Sequence, residues 1–211
     1  MKNIIKPYEG KFPAVILLGP PGSGKRLLGK YLGSSPNQYY LSSSMIFKSI
    51  DQDTPAGELY YSYAKKKKLV PNDVTLELWE NYIQGLISTN SYRPNKQDLV
   101  LDGIPRTKEQ AQMLDEYLNV RHVIVLESQL RDDLLKRVRR QVRKEGGLDE
   151  GVKKSFDNDY QEYSDNISGL VDVYPTHMVT YINADQRPLE VLRDVLIRLA
   201  HILSPRPNSS S

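Results

Sequence analysis

The chain of 211 residues contains no cysteine. That absence excludes a disulfide framework and a cysteine-ligated zinc site. Phenylalanine is scarce (3) and tryptophan single, against 14 tyrosines. Neither sign of charge dominates: 29 basic residues face 26 acidic ones, for a net charge of +3. Such a balance gives no argument for nucleic acid or a membrane surface as partner. No apolar run approaches the ~18 residues of a membrane span. The opening stretch MKNIIKPYEG lacks the apolar core and small-residue cleavage site of a secretory signal. The expected setting is therefore cytoplasmic. The three histidines, His122, His177 and His201, are scattered and give no metal-ligand pattern.

What is present is ordinary soluble-protein composition, 39% hydrophobic and 26% charged. The length suits one domain with a small insertion. The run AVILL at 14–18 has strand length, as do DLVLD at 98–102, HVIVLE at 122–127 and MVTYIN at 178–183. KRLLGKYL, starting at Lys25, is helix-like, and helix-length segments follow at 72–90, 107–118, 130–145, 151–168 and 188–203. Strands alternating with helices predict an α/β fold, a parallel sheet covered on both faces. Residues 42–72 interrupt the alternation with polar, mainly helical sequence, and the tail at 204–211 is expected to be disordered.

The chemistry begins at 19–28, GPPGSGKRLL, directly after the first strand. A strand, then G-x-x-x-x-G-K, then a helix is a phosphate-binding arrangement. Glycines let backbone N–H groups turn toward an anion, the helix N-terminus adds partial positive charge, and the lysine reaches the outer phosphates. Gly19, Gly22, Ser23, Gly24, Lys25 and Arg26 form the candidate nucleotide-binding loop.

Together with two further motifs, this loop resembles the adenylate and related nucleoside monophosphate kinases. LVLDGIPRTKEQAQMLDEYL at 99–118 is similar to that family's strand ending in Asp-Gly-x-Pro-Arg and its glutamine-bearing helix. KLVPNDVT at 68–75 is similar to the segment entering the helix after the monophosphate lobe. The likeness runs from about residue 14 to 203 without a large gap. It implies a P-loop kinase-type parallel sheet of five strands within one domain at 1–203, a monophosphate-binding insertion at about 42–72 and a short lid at about 141–150. It also implies ATP or another nucleotide, an AMP-like acceptor and Mg²⁺ as ligands. Lys25, Asp102 and Arg106 are then the catalytic candidates, with Asp102 meeting the metal through water rather than as a direct ligand. Lys48, Val70, Gly103, Arg106 and Gln110 are the acceptor-binding candidates.

Phosphoryl transfer needs positioned ends, excluded water and cations around spreading negative charge. Several positions depart from the family pattern in that respect. Arg26 and Leu27 occupy the place of Gly-Thr, so Leu27 removes a hydroxyl at the first helical turn. Arg26 either holds an anion itself or repels a nearby divalent metal. Met45 replaces an acid, and Lys48 replaces an arginine, keeping charge without the bidentate fork. In the lid, Gly147 (or Leu148 with a shift of one) stands where the resemblance puts a first arginine, and Asp159 where it puts a second. Arg140 and Arg143, within KRVRRQVRK at 136–144, either compensate in part or form a solvated helix face.

These residues predict a degraded site: a nucleotide-binding pseudokinase or weak kinase. The alternatives are an active phosphotransferase, and a protein-interaction module using the kinase fold with an unknown protein partner. Among smaller features, KKKK at 65–68 suits a helix C-terminus. LYYSY at 59–63 is either a partner surface or a turn whose Leu59 and Tyr63 face a core, and Trp79 is expected to pack.

Overall fold

The computed structural model describes residues 8, 10–65 and 70–200. Five strands form its sheet: β1 (Phe12–Leu18), β2 (Gln38–Ser42), β3 (Asp98–Asp102), β4 (Leu118–Glu127) and β5 (Val179–Asn183). They lie in the order β2-β3-β1-β4-β5, and every pairing is parallel. Parallel pairing demands crossovers, and these supply eight helices among the described residues. They are α1 (Lys25–Gly33), α2 (Ser43–Lys48), α3 (Pro55–Lys65), α4 (Asn72–Ser88), α5 (Lys108–Leu114), α6 (Arg131–Lys144), α7 (Val152–Val171) and α8 (Pro188–Leu199).

The side-chain alternation of the central strands divides the core into two layers. Phe12, Ala14, Ile16 and Leu18 of β1, Leu99 and Leu101 of β3, and Val123 and Val125 of β4 face one layer. Leu76, Trp79 and Ile83 of α4, Ala111 and Leu114 of α5, and Leu170 of α7 cover it. Val15, Leu17, Val100, Ile124 and Leu126 face the other, under Leu28 and Leu32 of α1 and Val191, Val195 and Leu199 of α8. Trp79 is fully buried, as expected, with its ring edge-on to Phe12 and Tyr117, each at 5.8 Å.

Strand β2 has no counterpart among the apolar runs of the sequence. Its QYYLS is polar at both ends, yet it pairs in register with β3 from Gln38↔Asp98 to Ser42↔Asp102. An edge strand needs only half of its surface apolar, so hydropathy alone does not reveal it. Helix α5 ends at Leu114, and β4 begins at Leu118, within the segment expected to be helical up to 118. Helix α7 runs on to Val171.

The interruption at 42–72 is helical, containing α2 and α3. Leu59, which faces a core in one of the two readings of LYYSY, is 40% exposed. Tyr60 makes the contact there, stacking on Phe47 at 4.8 Å with 10° between the ring planes. Beyond Lys65, the tetralysine run lies outside the described residues, as does the tail at 204–211.

Candidate functional site

The carboxyl ends of β1 and β3 meet at one cavity of about 650 Å³, a size suited to a small ligand. The turn from β1 into α1 forms its floor. Gly24 caps α1 in the left-handed region at φ 100°, with nothing within 4 Å of where a Cβ would stand. Gly22 (φ 82°) lies so close to α6 that a Cβ would come 2.5 Å from the Leu134 carbonyl oxygen. Only glycine allows both the turn and that approach. The Ser23 hydroxyl, buried in the same loop, has no hydrogen-bond partner among the described residues.

Lys25 folds over its own loop, its Nζ donating to the carbonyls of Gly19 (2.5 Å) and Pro20 (3.0 Å). Burial pushes its ammonium down to about 8; the Asp102 carboxylate opposes that shift, and Arg106 adds to it. Asp102 closes β3 and accepts a 2.8 Å hydrogen bond at Oδ2 from the hydroxyl of Tyr40. Just beyond it, the turn carries Gly103 at φ 77° and a cis Ile104–Pro105 peptide. Arg106 follows, its Nε donating to the Gly103 carbonyl at 3.0 Å.

The wall opposite is acidic. Asp159 and Glu162, one helical turn apart on α7, both line the cavity. Glu162 Oε1 lies 3.6 Å from Arg106 Nη1. Burial raises the Asp159 pKa, and Arg106 draws it back down. Arg106, expected to grip an acceptor phosphate, therefore already faces two carboxylates.

Arg26 is likewise engaged. Its Nη1 donates at 2.7 Å to Oε1 of Glu145, the C-cap residue of α6. Gln141 donates to the same oxygen at 3.1 Å. The Gln141 hydrogen bond, with Arg26 and Lys48 nearby, holds the Glu145 carboxyl below its ordinary range.

The cavity thus gathers Gly19, Gly22, Ser23, Gly24, Lys25, Arg26, Asp102, Gly103, Arg106 and Arg140. Other candidates sit outside its lining. Gln110 is 5% exposed and bonded at both ends: it accepts from the Arg106 backbone N–H at 2.7 Å and donates to Asn72 at 3.0 Å. Val70 offers its carbonyl to the Thr75 hydroxyl. Arg143 is paired with Asp149 across the turn after α6, and Gly147 donates its backbone N–H to the Val142 carbonyl in that turn. Lys48 lies near Glu145 rather than in the cavity lining.

Two groups on the cavity, and one bond behind it, escaped the sequence reading. Arg137 lines it and donates to the Ala184 carbonyl at 2.7 Å. That residue stood inside the basic run of α6 without a feature to separate it from its neighbours. Glu162 was findable from its i+3 spacing to Asp159. The Tyr40–Asp102 bond depended on β2, which was itself missed.

The residues fit a nucleotide with a divalent cation. The open left-handed cap at Gly24, the unpartnered Ser23 hydroxyl and Lys25 make a phosphate cradle. No group of three or more potential metal ligands occurs among the described residues. Asp102, at the end of β3, is the carboxylate that would meet, through water, a magnesium ion carried on the phosphates.

Comparison with known proteins agrees with this geometry. The family model described as Adenylate kinase matches residues 17–179. Adenylate kinase of Flavobacterium psychrophilum is 29% identical over 197 residues, 88% of this chain and 98% of that protein. Adenylate kinase of Borrelia turicatae is 35% identical over 105 residues, 49% of this chain and 47% of that protein. That of Clostridium tetani is 37% identical over 105 residues, 49% of this chain and 45% of that protein. These last two alignments span about half the length of each relative. No helix among the described residues is long and apolar enough to cross a membrane. With its P-loop, its parallel five-stranded sheet and the family match across most of its length, the chain belongs to the adenylate kinase family.

Proposed function

We propose that this protein binds a nucleoside triphosphate on the P-loop and a nucleoside monophosphate near Arg106, and transfers phosphate between them only weakly. In this reading the segment at about 42–72 is the acceptor lobe and 141–150 the lid. Lys25 draws away from the Gly19 and Pro20 carbonyls to hold the outer phosphates, and Arg106 meets the acceptor. Bound magnesium neutralises phosphate charge. Gln110, already bonded at both ends, keeps Arg106 in place through the backbone and has little left for reading a base.

The observation that carries the proposal is the acidic wall of α7. Glu162 lies 3.6 Å from Arg106, and Asp159 lines the same cavity. Transfer concentrates negative charge between donor and acceptor, so carboxylates there oppose it, and one missing transition-state cation costs about 10³ or more in rate. Binding survives because Lys25, Arg26, Arg106, Arg137 and Arg140 still outnumber Asp102, Asp159 and Glu162 on the cavity lining.

Nucleotide-dependent thermal stabilisation, combined with a coupled turnover assay, tests this. The expected result is stabilisation by ATP or ADP with turnover far below that of an efficient kinase. Rapid turnover with magnesium and a common monophosphate would establish an active phosphotransferase instead. Absence of any nucleotide effect would leave the fold as an interaction module.

A further inference from the structure

The hydroxyl of Tyr40 donates to Asp102 Oδ2 at 2.8 Å, a bond between neighbouring strands. In the β2–β3 register Tyr40 stands opposite Val100, and Ser42 stands opposite Asp102. Val100 and Asp102 project to the same side of the sheet, and a tyrosine is long enough to reach the diagonal neighbour. The ring itself is clamped by α1. A Cβ on Gly29 would collide with Tyr40 Cε2, and one on Gly33 would lie 2.6 Å from Tyr40 Cβ. Two glycines one turn apart on α1 thus let the helix settle onto the aromatic ring.

We propose that Tyr40 is a positioning residue, holding the Asp102 carboxylate in the orientation that meets a magnesium-bearing nucleotide. This rests on the nucleotide-binding reading above. Asp102 has competing attractions, since its charge acts on Lys25 across the cavity. A carboxylate free to rotate would turn toward that ammonium, removing itself from the metal's water shell. The tyrosine hydroxyl fixes one carboxylate oxygen from behind. Its partner on the ligand side is then set before the ligand arrives, a use of pre-organisation like that of partners behind metal ligands.

The test is a double-mutant cycle on ADP binding, measured with Mg²⁺ and with EDTA, for the wild type, Tyr40→Phe, Asp102→Asn and the pair. Phenylalanine keeps the clamped ring and removes only the hydroxyl. The expected result is that Tyr40→Phe loses about tenfold of the magnesium-dependent gain in affinity, the scale of one hydrogen bond to a charged group. Affinity in EDTA stays unchanged, and Tyr40→Phe has no further effect once Asp102 is asparagine. A loss equal in Mg²⁺ and EDTA, or additive with Asp102→Asn, would reduce Tyr40 to a packing residue and overturn the proposal. An unchanged magnesium gain in Tyr40→Phe would also overturn it while leaving nucleotide binding intact. A wild type that ignores ADP in both conditions would overturn this proposal and the nucleotide-binding reading together.

Discussion

Arg26 Nη1 lies 2.7 Å from Glu145 Oε1, so the cation that follows the P-loop lysine is tied to the far end of α6. The two residues are 119 apart in sequence. Their bond joins the first turn of the P-loop helix to the middle of the candidate lid. Arg26 is therefore not an idle cation waiting for an anion. An incoming phosphate must compete with Glu145 for it.

Releasing that competition gives a first prediction. Both side chains are substantially exposed, and such pairs contribute only ~0.2–1 kcal/mol. Glu145→Gln should therefore tighten ATP or ADP binding by up to about fivefold, most clearly at low salt. Calorimetric titration at two ionic strengths checks it. An unchanged affinity would mean that Arg26 takes no part in binding phosphate.

The acidic wall gives a second. Glu162→Gln frees Arg106 and should strengthen monophosphate binding several-fold. Asp159→Arg should act on turnover instead, raising kcat by about tenfold or more through restored charge stabilisation. Combining Asp159→Arg with Gly147→Arg, Arg26→Gly and Leu27→Thr should raise turnover well beyond any single change. Steady-state kinetics that separate kcat from KM decide between binding and rate effects.

Lys25 makes binding proton-linked. Its pKa of about 8 leaves it partly neutral at pH 8.5, and a bound phosphate raises it again. Nucleotide binding there should take up a fraction of a proton, visible as a binding enthalpy that varies with buffer ionisation enthalpy. Lys25→Met should abolish the dependence. Folding has the opposite sign, because it lowers the Lys25 pKa and releases a proton. Between about pH 8 and 10.5 the unfolded chain binds more protons at this site, so stability should rise with pH over that window.

The core offers a stability test independent of ligand. Trp79 is fully buried between Phe12 and Tyr117, but its indole Nε1 has no hydrogen-bond partner among the described residues. Trp79→Ala should cost about 3–5 kcal/mol by leaving a cavity, whereas Trp79→Phe should cost far less because no hydrogen bond is lost. Urea denaturation followed by circular dichroism compares them.

The sequence by itself determined the fold and where to look for the site. AVILL followed by glycines and Lys25 can build little other than a buried strand, a phosphate turn and a helix, because each step is local chemistry. The apolar runs of β3 and β4 and the reach of α4 were legible for the same reason. Tertiary structure decided what the charged residues do. Arg26 reads as an open cation until folding brings Glu145 against it, and Arg106 reads as a phosphate grip until α7 presents Glu162. Strand β2 carries too little hydropathy to announce itself, so the bond from Tyr40 to Asp102 exists only once β3 pairs with it in register. Local propensity writes strands, turns and helices into neighbouring residues. Electrostatic partnership depends on distances of a few ångströms between residues dozens apart, and only the packed sheet and its helices set those distances.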